Sequence, residues 1–444
     1  VSLTFDRIPR EVVFKAKLCV LDYLANIYGS LELEAVKAVA EHVRTLGGPE
    51  QATALGCGFR TGIQNAAFLN GTTAEAIEAQ DGLRFGGNHP VSAVMPAVFA
   101  LAEAGGNEGH EILTAIVAGY EAASRPAAAM HPFHTLSGFL PTGTCGAFGA
   151  AAASAKLMGL NREGMLNALG NAGYLLPLSM AEQLMGGFTI KIVQGGQAAS
   201  AGIMAAGLAR AGITGCPQVL EGSELKGGFT QITVRGDPKC ERIVEGLGDH
   251  FSLSDVYFKP YAACRHTHGA AEAALGLVKD HAFEVDDIED VEVDTYGIGV
   301  IAVGNNIPEN GTFVSAQFSI PYVVAACLMD RKFGPAQLTE RRTTDPAILA
   351  LSKKVRVRAD DELNRVYPEK TSSRVTIRLK DGTSRMKQVD IPKGDPRTPM
   401  GVYDISDKLK EYAGARSREK TGNIIEMVMK LESLGSIHEL AALI

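Results

Sequence analysis

Apolar and small residues recur at helical spacing through roughly the first two hundred positions. Val12, Val13, Ala16, Leu21, Leu24 and Ala25 share a face, with Lys15, Lys17 and Asp22 set around them, the 3.6-residue period of an amphipathic helix. Residues 96–104 and 108–123 predict two more helices, broken by Gly105-Gly106. Residues 146–159 are mostly alanine and glycine, which suits a buried helix packed closely on its neighbours. Gly159 ends that helix, and Asn161 is placed to cap the next.

From about Phe251 the pattern changes. Residues 291–296, 355–358 and 375–379 alternate apolar with polar, the period of half-buried strands. The last of these runs into Asp381-Gly382, a hairpin signal. Helical stretches at 270–280, 316–329 and 345–353 alternate with the strands. From Val402 the helical period returns through 408–413 and 423–434. The pattern predicts a mainly α protein with an α+β second domain. A large helical-bundle domain is formed by both chain ends, residues 1–255 and 396–444, and a smaller inserted α+β lid domain spans 256–395. A length of 444 residues suits two domains, and no internal repeat or low-complexity tract interrupts them.

Hydrophobic residues make up 46% and charged residues 21% of the chain, a globular balance with no signature of disorder. The formal net charge of -7 argues against a nucleic-acid surface. A locally basic pocket for small acids remains compatible with it. The seven cysteines are scattered, odd in number and form no C-x-x-C pair, so neither a zinc knuckle nor a disulfide framework is indicated. Free thiols fit a reducing cytoplasm. No apolar run reaches transmembrane length, and the opening residues lack a charged region followed by an apolar stretch and cleavage site. The reading is therefore a cytoplasmic protein with no membrane and no nucleic-acid partner.

Five segments carry candidate chemistry. Residues 187–202 place Lys191 among apolar and small residues, with no acidic residue nearby in sequence. A lysine withdrawn from water loses solvation of its ammonium form, so its pKa falls and the amine accepts a proton; the bland alternative is snorkelling outward. Residues 78–90 set Asp81, Arg84 and His89 on a glycine-broken loop before a helix, where they face a cleft or merely form a turn. Residues 138–146 run Thr142-Gly143-Thr144-Cys145-Gly146 into the alanine-rich helix. Backbone N–H groups there suit a substrate carboxylate, and ordinary capping by Thr144 explains the turn equally well. Residues 259–269 hold Cys264, Arg265, His266 and His268. The two histidines fit a metal poorly without acidic ligands at matching spacing, and better fit acid–base work beside an arginine that grips a carboxylate. Residues 315–322 end in Tyr322, a proton relay or a packed core side chain. No P-loop, GxGxxG after a strand, GxSxG, haem or iron–sulfur spacing occurs, so no cofactor and no metal is expected.

Taken in order, these segments resemble the MmgE/PrpD family. The resemblance covers residues 16–22, the loop ending in His89-Pro90, residues 142–152, Lys191 with its Gly/Ala tail, Lys259-Pro260-Tyr261, His268 and residues 318–322. It implies a large helical domain with a smaller α+β lid, homodimers, and catalysis without metal or organic cofactor. It also implies a cleft between the domains that carries Asp81, His89, Lys191, His268 and Tyr322. The implied chemistry is removal of a proton α to a carboxylate of a small polycarboxylic acid. On this reading Lys191 and His268 transfer protons, His89 and Arg265 bind carboxylates, and Tyr322 relays a proton; Arg84 and Thr144 complete the substrate contacts.

Two departures bear on the reaction. Leu83 and Leu140 stand where many family lyases carry histidine. Elimination of hydroxide needs a proton donor for the leaving oxygen, whereas an epimerase needs only an acid and a base on opposite faces of the carbon. The expected activity is therefore an epimerase of iminodisuccinate type. The alternatives are a hydro-lyase of 2-methylcitrate dehydratase type and a cis-aconitate-type decarboxylase. Two further readings lie outside this chemistry: a non-catalytic polycarboxylate binder, and a metal-dependent hydrolase built on His266 and His268.

Overall fold

The computed structural model describes residues 1–309, 311–414 and 418–444. Helices Arg10–Ser30, Ile63–Ala76, Val91–Gly105, Gly109–Met130, Pro141–Leu157, Arg162–Leu175 and Gln194–Arg210 form a bundle. The protein is mainly α with an α+β part, as the periodicity predicts.

Helix boundaries follow the local chemistry. Asn161 accepts from the Gly164 N–H at 2.9 Å and caps its helix, and Gly159 takes a left-handed φ of 68° before it. Two prolines behave in opposite ways. Pro141 opens the alanine-rich helix five residues before the expected start, since its missing N–H costs nothing at a first turn. Pro96 does not start a helix but lies inside Val91–Gly105. That helix is buried along nearly its whole length, so packing outweighs the one backbone bond that proline removes.

Two helices of the bundle approach through glycine. A Cβ at Gly196 would lie 2.1 Å from the Phe68 carbonyl oxygen, and one at Gly71 would lie 2.6 Å from the Gly196 Cα. Only glycine permits that separation, and it brings the C-terminal end of Ile63–Ala76 against the start of Gln194–Arg210.

In the α+β part, four strands lie in the spatial order Val355–Ala359, Ile288–Thr295, Ser373–Leu379, Ser384–Val389. The first pair is parallel, with Val291 opposite Val355, and the others are antiparallel. Gly382 turns the hairpin between the last two strands with φ 85°. Val291, Val293, Val375 and Ile377 are buried, and His268–Asp280 packs on that sheet and against Ile320–Asp330. The helix expected over 316–329 is split in two, Phe313–Gln317 and Ile320–Asp330. Ser319 makes the break: its hydroxyl caps the second helix by accepting from the Tyr322 N–H.

The two parts are tied at several points. Gly82–Leu83 pairs antiparallel with Val256–Tyr257, and Gln317 Nε2 donates to the Ala76 carbonyl at 2.8 Å. After the sheet, Val402–Ala413 packs on Arg10–Ser30. Lys408 there donates to Asp22 at 2.7 Å and to the Ala79 carbonyl at 2.6 Å. One buried apolar cluster includes Leu21, Phe99, Val291, Tyr322, Ile377 and Leu409, so bundle, sheet and tail share a core. Among the described residues no helix is long and apolar enough to cross a membrane.

Candidate active site

The helix Ile63–Ala76 ends in Glu75, whose side chain is fully buried, and Glu78 follows with φ 54°. A non-glycine residue at positive φ costs about 1–3 kcal/mol and persists only where surrounding contacts hold it. The Glu78 carboxylate accepts from Lys191 and, at 2.6 Å, from Lys259. Lys259 also donates to the Glu78 carbonyl at 3.2 Å. Glu75 Oε1 accepts from Lys191 and from Gln194 Nε2, both at 2.8 Å. Ser179 donates to Gln194 Oε1 at 2.9 Å and fixes that carboxamide. His89 Nε2 lies 3.7 Å from Glu78 Oε1. Two lysines thus face two carboxylates beside one imidazole. Ions taken out of water persist only when paired and hydrogen-bonded in this way.

This arrangement overturns the expected state of Lys191. Burial does work against its ammonium, but Glu75 and Glu78 outweigh burial and raise its pKa above the ordinary lysine value. The residue is held as a charged ammonium and not as a depressed-pKa amine. Burial likewise opposes the charge on Glu78, yet Lys191 and Lys259 hold it well below the usual carboxylate range, and Glu75 is also lowered. His89 falls to about 4, by burial first and then the charge of Lys259. Its Nδ1 is 2.6 Å from the Asp81 carbonyl oxygen. A carbonyl only accepts, so Nδ1 carries the hydrogen and Nε2 keeps a lone pair. At neutral pH the site therefore presents a charged donor, Lys191, and a neutral acceptor, His89, at once.

Of the other sequence-derived candidates, Asp81 meets this set through its carbonyl and His268 lies near enough for the charges of Lys259 and Glu78 to act on it. Asp81 is fully buried and accepts from the Tyr120 hydroxyl at 2.6 Å and the Val91 N–H at 3.3 Å. Burial pushes its pKa up to about 7, against the Tyr120 hydrogen bond. Asp81 positions His89 through its main-chain carbonyl. His268 has both ring nitrogens engaged, Nε2 with the Ala263 carbonyl at 3.0 Å and Nδ1 with Arg265 at 3.4 Å. Tyr322 donates to the Gln337 carbonyl at 2.5 Å and packs edge-on to Phe333. Arg265 donates to the Lys393 and Pro392 carbonyls, both at 2.8 Å, and Arg84 to those of Pro368 and Glu369 at 2.6 and 2.7 Å. The two arginines assigned to substrate carboxylates thus brace backbone within the fold. Thr144 meets His134 Nε2 at 2.8 Å and its own helix at the Leu140 carbonyl. His266 Nδ1 meets the Tyr296 hydroxyl at 2.6 Å, away from the partners of His268. Among the described residues no group of three or more His, Cys, Asp or Glu is arranged to hold a metal.

Glu75, Glu78 and Lys259 were missed as site residues. The signal for the carboxylates was Lys191 itself: a lysine among apolar neighbours with no local partner implies an acid from elsewhere. Two glutamates three residues apart at the end of a helix rich in small residues were the available pair. The larger cavity, about 800 Å³, is lined by Gly47, Gln64, Met158, Met204 and Arg210 among others and touches none of the cluster. A smaller one of about 260 Å³ is bordered by Gly187, Ser315 and Phe318, and the Phe318 ring lies 5.5 Å from Lys191 Nζ. Neither cavity is lined by Glu75, Glu78, Lys191, Lys259 or His89, and the smaller approaches them through Phe318.

Residues 1–241 match the family model of the MmgE/PrpD N-terminal domain and residues 261–433 that of the MmgE/PrpD C-terminal domain. The chain belongs to the MmgE/PrpD family. It is similar along its whole length to cis-aconitate decarboxylase of Aspergillus terreus (strain NIH 2624 / FGSC A1156), at 27% identity over 463 residues, 100% of this chain and 94% of that protein. The cis-aconitate decarboxylase-like protein oryM of Aspergillus oryzae (strain ATCC 42149 / RIB 40) is 29% identical over 98% of this chain and 94% of its own. The cis-aconitate decarboxylase of Homo sapiens is 26% identical over 100% and 92%.

Proposed function

We propose that this protein is a cofactor-independent acid–base enzyme acting on a carbon next to a carboxylate of a small di- or tricarboxylic acid. The observation that carries the reading is the buried Glu75–Lys191–Glu78–Lys259 group beside a neutral His89. Loss of a proton or of carbon dioxide from such a carbon leaves an enolate-like anion. Lys191 and Lys259 are charge-stabilising groups for it. His89 Nε2 is the acceptor and Lys191 the donor for proton transfer.

Two reactions of this class each have a specific support. The relatives favour a decarboxylase, since those at 26–29% identity are cis-aconitate decarboxylases or decarboxylase-like. There carbon dioxide departs and the carbanion takes a proton from Lys191. The site supports an epimerase of iminodisuccinate type, because an acceptor and a donor are present together, while Leu83 and Leu140 add no further donor beside Lys191. A hydro-lyase would use the same pair, with Lys191 protonating the leaving hydroxyl, but the relatives lend it no support. Proton NMR in D2O with iminodisuccinate, 2-methylcitrate, citrate and cis-aconitate separates them. Deuterium entering the α-position with stereoisomer conversion identifies the epimerase. Loss of carbon dioxide from cis-aconitate identifies the decarboxylase, and a new alkene from a hydroxy acid the dehydratase. No reaction with any acid overturns the proposal.

The protein is further proposed to act as a homodimer. Support comes from the exposed apolar run Tyr174, Leu178, Met185, Phe188 and Ile190, with Tyr174 93% exposed. Light scattering is expected to return twice the monomer mass, and a monomer at micromolar concentration removes this part.

A further inference from the structure

We propose that Glu75 reads a hydrogen-bond donor on the substrate, and so selects amino-, imino- or hydroxy-dicarboxylates over acids that offer only carboxylates and carbon. The proposal rests on the acid–base reading above and names the substrate class for it.

Glu75 is fully buried, and its two oxygens are unequal. Oε1 accepts from Lys191 and from Gln194, each at 2.8 Å, while Oε2 is buried with no hydrogen-bond partner. Buried carboxylate oxygens seldom go without a donor, because the group lost its water to enter the interior. Lys191 and Gln194 hold the carboxylate in place, and Gln194 is itself held by Ser179. Oε2 therefore has a fixed position and an open capacity to accept.

Charge points the same way. The group sets Lys191 and Lys259 against Glu75 and Glu78, and His89 is neutral near pH 7. Arg84 and Arg265 stand outside the group, each donating to two backbone carbonyls. The group has no cationic excess to receive three substrate carboxylates, and a carboxylate set against Oε2 is repelled by it. An N–H or O–H on the substrate instead completes the bond that Oε2 lacks. A site built around such a donor discriminates strongly against the analogue without it, because the buried acceptor is then left unpaired.

Aspartate, malate and succinate test this with one chain length and two carboxylates, differing at a single carbon. Calorimetric binding to the wild-type protein is expected to favour aspartate or malate over succinate by about tenfold or more. In Glu75→Gln, of the same shape but with a weaker acceptor, the preference is expected to fall to about twofold or less. Succinate binding as tightly as both others overturns the proposal, and so does an unchanged preference in Glu75→Gln. Failure to bind aspartate and malate, in a protein that transforms some acid of the NMR panel, overturns it too, as expected if Oε2 merely faces water. Should Glu75→Gln fail to fold by circular dichroism, the wild-type ratio decides alone. Absence of reaction across the NMR panel is a different result and sinks the underlying acid–base reading.

Discussion

Deleting the Lys191 amine leaves two buried carboxylates that share no other lysine, since Lys259 serves Glu78 alone. Lys191→Ala is therefore expected to fail twice. Turnover falls by more than about a hundredfold, the scale of a positioned acid–base group. Stability falls by about 3–5 kcal/mol, the scale of an uncompensated buried charge. Steady-state kinetics and urea unfolding read the two separately. Adding Glu75→Gln and Glu78→Gln to that variant is expected to restore much of the stability and none of the turnover. Asp81 gives a second residue-scale prediction. Its folded pKa of about 7 lies above the ordinary aspartate value of 3.8, so the folded state binds the extra proton between those values and stability from this group declines as pH rises through that window. Asp81→Asn lacks the decline. Relative to wild type it is expected to gain in thermal midpoint from pH 4 to 7 and to level off above. The burial of Lys191 was legible in its apolar neighbours, but its protonation state was not, because both partners lie more than a hundred residues away. Pairing across that separation is set by helix packing, which no local window contains.

At the scale of elements, periodicity revealed the helices because each buries a continuous stripe, and the 291–296 and 375–379 strands because they alternate. The failures came where one residue type has two uses. Pro96 read as a start and lies inside a helix, and the Thr142–Thr144 turn read equally as an anion site or a cap, with Thr144 bonded to His134 and Leu140. Glycine was legible as a sign of close packing, though not which pairs touch. The Gly71–Gly196 contact fixes how near Glu75 comes to Lys191, since one helix carries Glu75 and the other starts three residues after Lys191. Gly196→Ala is expected to push the two helices apart and to cost about 1–3 kcal/mol or more. Turnover should fall with it, although no charged group has been altered. Gly207→Ala, on the same helix with no atom within 4 Å of the added carbon, is the control and should retain both.

For the whole molecule, acid is the expected weakness. His89, His131, His134 and His266 are each lowered to about 4, chiefly by burial. A histidine that titrates near 6.5 when unfolded and near 4 when folded contributes stability that is complete above pH 6.5 and is lost as pH falls toward 4. These four and His268, also lowered by burial, outnumber Asp81 and Asp22, whose raised pKa values run the other way. The thermal midpoint is expected to drop steadily between pH 6.5 and 4, and a flat profile would contradict the buried, neutral histidines. The return of the tail to the first bundle was legible from its renewed helical period. The shared core was not, because periodicity says which face is buried and not against what.

The tail's Lys408 holds the Ala79 carbonyl and the Asp22 carboxylate, immediately beside Glu78. The ribosome makes residue 408 after every residue of the cluster. Until it emerges the turn lacks one tie, while Gln317 on the Ala76 carbonyl and Tyr120 on Asp81 already serve its two flanks. The last tie of that turn is thus made by a residue synthesised well after every side chain of the cluster.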